Sequence, residues 1–224
     1  MKKKTDTKFE KRKERVKKLD HVLKKLFPVA KCALTYSNPW ELTVAVILSA
    51  QCTDKTVNNV TPALFKKYPT LAHYLKAKPQ EFAKDIYKTG FFNNKTKNIL
   101  AAAKKVHDDF GGVVPNTMEA ILTLPGVARK TANVVLGNAY GVVEGIAVDT
   151  HVKRFARKFK LTDNVDPVKI ERDLMELMPQ KEWFTFTYRI IEYGRQICSA
   201  RKHECTQHPL SKVYPKAAKN WPKP

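Results

Sequence analysis

LPGVARKTANVVLGNAYG, residues 124–141, sets a Pro-Gly turn between two helical segments, and the second segment opens on Arg129 and Lys130. A helix that begins straight after such a turn leaves its first backbone N–H groups without intrahelical partners, and that end attracts phosphate. Gly126 lets the backbone come close to a phosphate, and Arg129 and Lys130 add positive charge beside it. A lone Pro-Gly-Val marks no more than an ordinary helical hairpin, so the surrounding residues carry the weight.

On either side of the hairpin the apolar spacing is helical almost everywhere. No stretch alternates as a half-buried strand does, which predicts an all-α fold. A first helix is expected from about Lys8 to Phe27, with Val16, Leu19, Val22, Leu23 and Leu26 on one stripe, a basic opposite face, and Pro28 ending it. Pro39 opens a buried helix through ELTVAVILSAQ, Thr53 or Asp54 caps the next as far as Tyr68, and Pro79 starts a short one with Phe82 and Ile86. Gly90 and FFNNK read as a loop ahead of a long helix, Thr96 to Phe110. Asn116-Thr117 cap a short helix to Leu122, and the hairpin leads into a helix from Arg129 to about Ala139. Further helices are expected at about Thr150–Phe159, Pro167–Leu177 and Trp183–Cys198, and the closing PKAAKNWPKP reads as a tail because its three prolines oppose a helix.

A chain of 224 residues, 43% of them apolar, buries a real core as one domain or two small ones. Forty-two Lys and Arg against twenty-one Asp and Glu leave a formal charge of +21, a self-repulsion whose commonest reason is a polyanionic partner, nucleic acid first. A merely basic or ribosome-associated protein is the other reading of that charge. The longest apolar run, near Val44–Ala50, falls short of the roughly 18–20 residues of a membrane span, so no membrane partner is expected. Four cysteines without an apolar leader argue against a disulfide framework and for a cytoplasmic, nucleoid-associated protein. Asp6, Glu10 and Glu14 disfavour an organellar leader.

LPGVARKTANVVL followed by IAVDTHVKRFAR (146–157) resembles the helix-hairpin-helix and catalytic-aspartate segment of the endonuclease III family. The likeness continues upstream through NPWELTVAVILSAQCTD (38–54) and KTGFFNNKTKNI (88–99), and downstream to YGRQICSARKHEC (193–205). The resemblance implies a two-lobed helix-hairpin-helix DNA glycosylase fold with DNA in the cleft between the lobes. In it, a helical bundle of residues 33–142 is inserted into a discontinuous domain of residues 1–32 and 143–224. It implies a base-excision repair enzyme that removes oxidised pyrimidines and cleaves the strand at abasic sites, acting as a monomer on double-stranded DNA.

Lys130 matches the family's nucleophile. A neutral amine displaces the base at the anomeric carbon and forms a Schiff base, which activates the neighbouring hydrogen for β-elimination. Asp149 matches the catalytic carboxylate, although Asp-Thr ahead of a helix is also an ordinary N-cap. Gly126, Val127, Ala128 and Arg129 are expected to meet DNA through the hairpin, with Ala128 standing where many relatives have glycine. A base inside a duplex must be extruded, and Gln51 and Phe91 are the candidates to fill the hole, against the blander readings of a helix-end amide and a core aromatic. His151 and Arg154 read as structural partners or phosphate contacts.

Typical members end in C-x6-C-x2-C-x5-C, which binds a [4Fe-4S] cluster. Cys198 and Cys205 keep the first spacing, but His208 and Tyr214 occupy the third and fourth positions, so the segment is expected to be degenerate, with no cluster and no other cofactor. Zinc through Cys198, Cys205, His208 and His203 is the alternative, in a spacing that fits no standard finger. Arg201, Lys202 and Lys212 are then free to meet phosphate. A water-using glycosylase of the same fold and a non-catalytic DNA-binding module are the rival functions. Lys130 speaks against the first and Asp149 beside an intact Lys130 against the second.

Overall fold

A computed structural model describes residues 2–221, and among these every regular element is helical. In chain order the α-helices are α1 (Lys2–Leu26), α2 (Pro39–Leu48), α3 (Asp54–Lys67), α4 (Leu71–Leu75), α5 (Pro79–Asp85), α6 (Phe92–Phe110), α7 (Met118–Ile121), α8 (Arg129–Val135), α9 (Thr150–Lys158), α10 (Pro167–Leu177), α11 (Gln180–Gln196) and α12 (Pro209–Val213). None is long and apolar enough to cross a membrane among the described residues. The chain divides into two compact units, one made of residues Met1–Cys32 and Val143–Pro224, the other of Ala33–Val142.

The contiguous unit is built around α2, whose residues Leu42–Leu48 are all buried. Asn38 starts that helix by accepting the Glu41 N–H, and Pro39 suits the first turn because its missing N–H has no partner there to lose. Thr53 caps α3 in the same manner. Trp40, Tyr68, Tyr74 and Phe82 form one aromatic cluster with ring centroids 5.2–5.8 Å apart. The long helix α6 starts at Phe92 and not at Thr96, because Phe91 turns into it through the left-handed region and NNK then continues as helix. After Val135, α8 loosens into a π-turn over Leu136–Tyr140 that ends at Gly141.

The discontinuous unit wraps α1 onto the C-terminal helices. Val16, Leu19, Leu23 and Phe27 form the buried stripe of α1 and pack with Phe155, Phe159, Phe186 and Tyr193. Each such side chain contributes about 1.5–3 kcal/mol on burial. Asp20 and Lys24 of α1 meet Glu182 and Arg189 of α11 in a four-membered ion network with N···O distances of 2.8–3.5 Å. The C-terminal segment is not a loose tail. Pro215–Lys219 forms a 3-10 turn with Ala217 buried, and Trp221 packs against His203, with the Lys158 ammonium 3.6 Å above its ring. The prolines prevented an α-helix there and not docking; the last three residues lie outside the described ones.

Candidate functional site

The hairpin is locked from below. Val127 is buried and its N–H donates to Leu124 O at 3.1 Å. Gly126 has φ +80°, and a Cβ there would lie 2.8 Å from Asn98 Cβ on α6, so both the backbone and the space require glycine. Ala128 has φ −91° and ψ 171°, an extended conformation that any residue adopts, so alanine in this position leaves the turn intact. It is also the N-cap of α8 and has no side-chain acceptor, which leaves the first N–H groups of α8 without a side-chain cap. Arg129 and Lys130 follow, both half-buried, ahead of the buried Thr131, Ala132 and Asn133. The Lys130 amine has no hydrogen bond or ion pair among the described residues of its own unit.

Gln51 and Phe91 stand in the same unit on two different turns and share an unusual geometry. Both have left-handed backbones, φ +52° and +48°, and both side chains are exposed, Phe91 at 63%. A left-handed non-glycine residue costs about 1–2 kcal/mol, so the surroundings must enforce it. Between the two turns lies Lys95, only 4% exposed, whose ammonium donates to Leu48 O at 2.9 Å and to Thr89 O at 2.7 Å. One buried cation thereby ties the turn ahead of Gln51 to the turn ahead of Phe91. Burial pushes its pKa below the ordinary lysine value. Phe92, by contrast, packs on Tyr87 with centroids 4.9 Å apart, so Phe91 is the exposed member of the pair. Sequence reading had no means of singling out Lys95 among so many lysines, since its distinction is burial.

Asp149 lies in the discontinuous unit as the N-cap of α9. Its Oδ1 accepts the Val152 N–H at 2.8 Å, and its Oδ2 is 3.1 Å from His151 Nδ1. The cap and the carboxylate are one arrangement, with Asp149 partly exposed and its rotamer fixed at both oxygens. His151 is itself held by a missing side chain. A Cβ on Gly194 of α11 would fall 2.6 Å from His151 Cδ2 and 3.0 Å from an Arg154 guanidinium nitrogen. Arg154 spans to the end of α11 and donates to Cys198 O at 2.9 Å, which makes both residues structural supports of α9. A glycine inside a helical pattern was the available sign of this close approach.

The C-terminal segment overturns the expectation of a degenerate region with no cluster and no other cofactor. Cys198, His203, Cys205 and His208 bring one ligand atom each to within 4.8 Å of one another, a set able to hold a metal ion. The reason is positional: Tyr214, the fourth place of the family pattern, is engaged elsewhere under the Arg15 guanidinium at 4.0 Å, and His203 supplies the fourth donor from a place the pattern leaves blank. A [4Fe-4S] cube takes one thiolate on each of four irons. Two thiols and two imidazoles do not supply the four thiolates that group takes. Cys32 and Cys52 belong to no such set among the described residues.

Residues 44–180 match the family model of the HhH-GPD superfamily base excision DNA repair protein. The chain is 51% identical over 206 residues to Endonuclease III of Synechocystis sp., covering 92% of this chain and 94% of that protein. It is 45% identical over 186 residues to Endonuclease III of Bacillus subtilis, covering 83% and 84%. Among solved structures, one of a trapped endonuclease III–DNA covalent intermediate matches with a TM-score of 0.88 at 39% identity, over 92% of this chain and 97% of that one.

Proposed function

The chain belongs to the endonuclease III family of HhH-GPD base excision DNA repair proteins, and we propose that Lys130 is the nucleophile and Asp149 the catalytic carboxylate of a combined DNA glycosylase and abasic-site lyase. The observation that carries the assignment is Lys130 itself: an amine with no partner within its unit, on the second residue of a core-anchored helix directly after a phosphate-binding type of turn.

The substrate is double-stranded DNA carrying a damaged base or an abasic site, with oxidised pyrimidines as the proposed class. The Lys130 Nζ lone pair attacks C1′ of the deoxyribose, and the C1′–N bond breaks with its electrons leaving on the base, which takes up a proton. The sugar ring then opens to a Schiff base between Nζ and C1′. Loss of a C2′ proton pushes electrons into the iminium, and the C3′–O3′ bond breaks with the phosphate as leaving group. Water hydrolyses the imine and restores the amine. Asp149, with its carboxylate aimed by the Val152 N–H and by His151, supports the positive charge that develops on the sugar as the base departs, an effect worth a few kcal/mol.

Gly126, Val127, Ala128 and Arg129 hold a phosphate against the start of α8, and Gln51 and Phe91 enter the stack where the base has left. A formal charge of +21 suits this role and residence on the nucleoid. Borohydride trapping tests the reading: duplexes bearing an oxidised pyrimidine or an abasic site should both yield a covalent adduct with the protein. Lys130→Ala should give none on either. An undiminished adduct in that variant refutes the nucleophile; an adduct on the abasic duplex alone refutes the glycosylase substrate class.

A further inference from the structure

Two separations within the Cys/His set at the end of α11 are those of donors sharing one ion, and all four donors lie within 4.8 Å of one another. Cys198 Sγ and Cys205 Sγ are 3.9 Å apart, and Cys205 Sγ is 3.6 Å from His203 Nε2. Zinc bonds of about 2.3 Å to sulfur and about 2.0–2.1 Å to nitrogen, set at tetrahedral angles, put two sulfurs about 3.8 Å apart and a sulfur and a nitrogen about 3.6 Å apart. Donors on four separate irons would stand further from one another than donors that share one ion.

Supporting contacts already orient these groups for a metal. His203 Nδ1 donates to Arg201 O at 2.6 Å, which leaves the Nε2 lone pair facing Cys205; a backbone carbonyl on the remote nitrogen is how metal-bound histidines are commonly held. His208 Nδ1 is buried with no hydrogen-bond partner among the described residues, an orphan that a metal ion bound at that nitrogen would satisfy. Both cysteines are buried, at 2% and 1% exposure, and the Lys158 ammonium lies 3.7 Å from Cys205 Sγ. The Cys198 backbone is pinned by Tyr193 O and by Arg154, so the first ligand is placed by α11 and α9 and not by the loop.

We propose that Cys198, His203, Cys205 and His208 bind one zinc ion in closed tetrahedral coordination, a structural site standing where the family pattern carries its iron–sulfur cluster. Two thiolates balance the charge of the ion, and all four positions are filled by protein, so the site takes no part in the reaction. Its work is to close residues 198–208 into a rigid loop that carries the exposed Arg201 and Lys202. This inference does not depend on the assignment of Lys130 or Asp149.

The test is elemental analysis of the untagged full-length protein, with acid-labile sulfide measured on the same sample. One zinc per chain without sulfide is expected. Replacement by cobalt should give the visible d–d absorption of tetrahedral Co(II) together with a thiolate charge-transfer band. Cys205→Ser and His208→Ala should each lower the metal content well below one and lower the melting temperature, and a strong chelator should lower that of the wild type. Tyr214→Phe should keep its zinc. Iron with matching sulfide, a Cys198–Cys205 disulfide, or metal-free protein whose melting ignores both chelator and added zinc each overturns the proposal. Should the ligand variants fail to fold, the metal content and cobalt spectrum of the wild type still decide it.

Discussion

Lys95→Met separates base extrusion from the lyase step. The substitution keeps the volume and buried stem of Lys95 but deletes the ammonium that donates to Leu48 O and Thr89 O. Hydrogen bonds from a charged donor contribute about 1.5–3 kcal/mol each, and keeping an ammonium out of water offsets part of the pair. A net loss of about 1–3 kcal/mol of stability follows, or roughly 2–4 °C in Tm per kcal/mol for a chain of this size. The larger effect is local. Without the shared anchor the left-handed turns at Gln51 and Phe91 should relax, and the two side chains should lose the register that the proposed entry into the base stack requires. A loss of about 1.4–2.8 kcal/mol in the step that opens an intact stack slows base excision about 10–100-fold. Cleavage at a preformed abasic site should fall less than about threefold, since unpairing is cheapest where no base remains. Single-turnover rates on matched duplexes read the difference. Equal slowing on both substrates, or a lower Tm with neither rate changed, refutes the anchor. A second readout is stability against pH. Because the folded-state pKa of Lys95 is below 10.5, the unfolded chain binds more protons there, and the wild type should gain on the variant as pH rises toward 10.5.

Asp149→Asn retains an N-cap for α9, so stability should change by less than about 1 kcal/mol while base excision falls about 100-fold; chemical denaturation and single-turnover kinetics check the two halves separately. Gly194→Ala drives a methyl into His151 and should cost about 1–3 kcal/mol of stability. It should also slow excision by displacing the Asp149 partner, and a variant that melts lower with full activity would show that His151 does not position Asp149. The hydrogen bond from Lys24 holds the Glu182 carboxyl below its ordinary 4.5, so its contribution is complete above pH 4.5 and is lost as pH falls through the lower folded-state value. Compared with Glu182→Gln, the wild type should therefore be more stable at neutral pH and lose that advantage in acid, as urea midpoints across pH 2–7 would report.

What the sequence made legible was whatever depends on local pattern. The stripe of Val16, Leu19 and Leu23, the caps at Thr53 and Asp149, and the prolines at 39, 79 and 167 all act through neighbours a few residues away. Phe91 as a left-handed entry to α6 was hidden because residues at that place ordinarily have extended backbones, and the Lys95 bonds to Leu48 O and Thr89 O beside it join segments distant in the chain. The docking of Trp221 and the role of Gly194 were hidden for the same reason, being contacts between segments distant in the chain. The metal set was named in the sequence only as the alternative to an empty segment, for a different reason. Comparison position by position counts Tyr214 as a lost ligand, whereas coordination needs only donors that meet in space, and His203 does so from two residues before Cys205.

The interruption of one unit by the other has a consequence during synthesis. Residues Ala33–Val142 emerge as an unbroken segment and can close their own core while translation continues, whereas α1 emerges first and finds its partners last. Until α9, α10 and α11 leave the ribosome, Val16, Leu19, Leu23 and Phe27 lack the core they bury against, and the nascent chain carries an amphipathic helix with a bare apolar stripe. The dense lysines and arginines of its other face then have a second use, keeping unfinished chains soluble and apart by mutual repulsion until the C-terminus arrives.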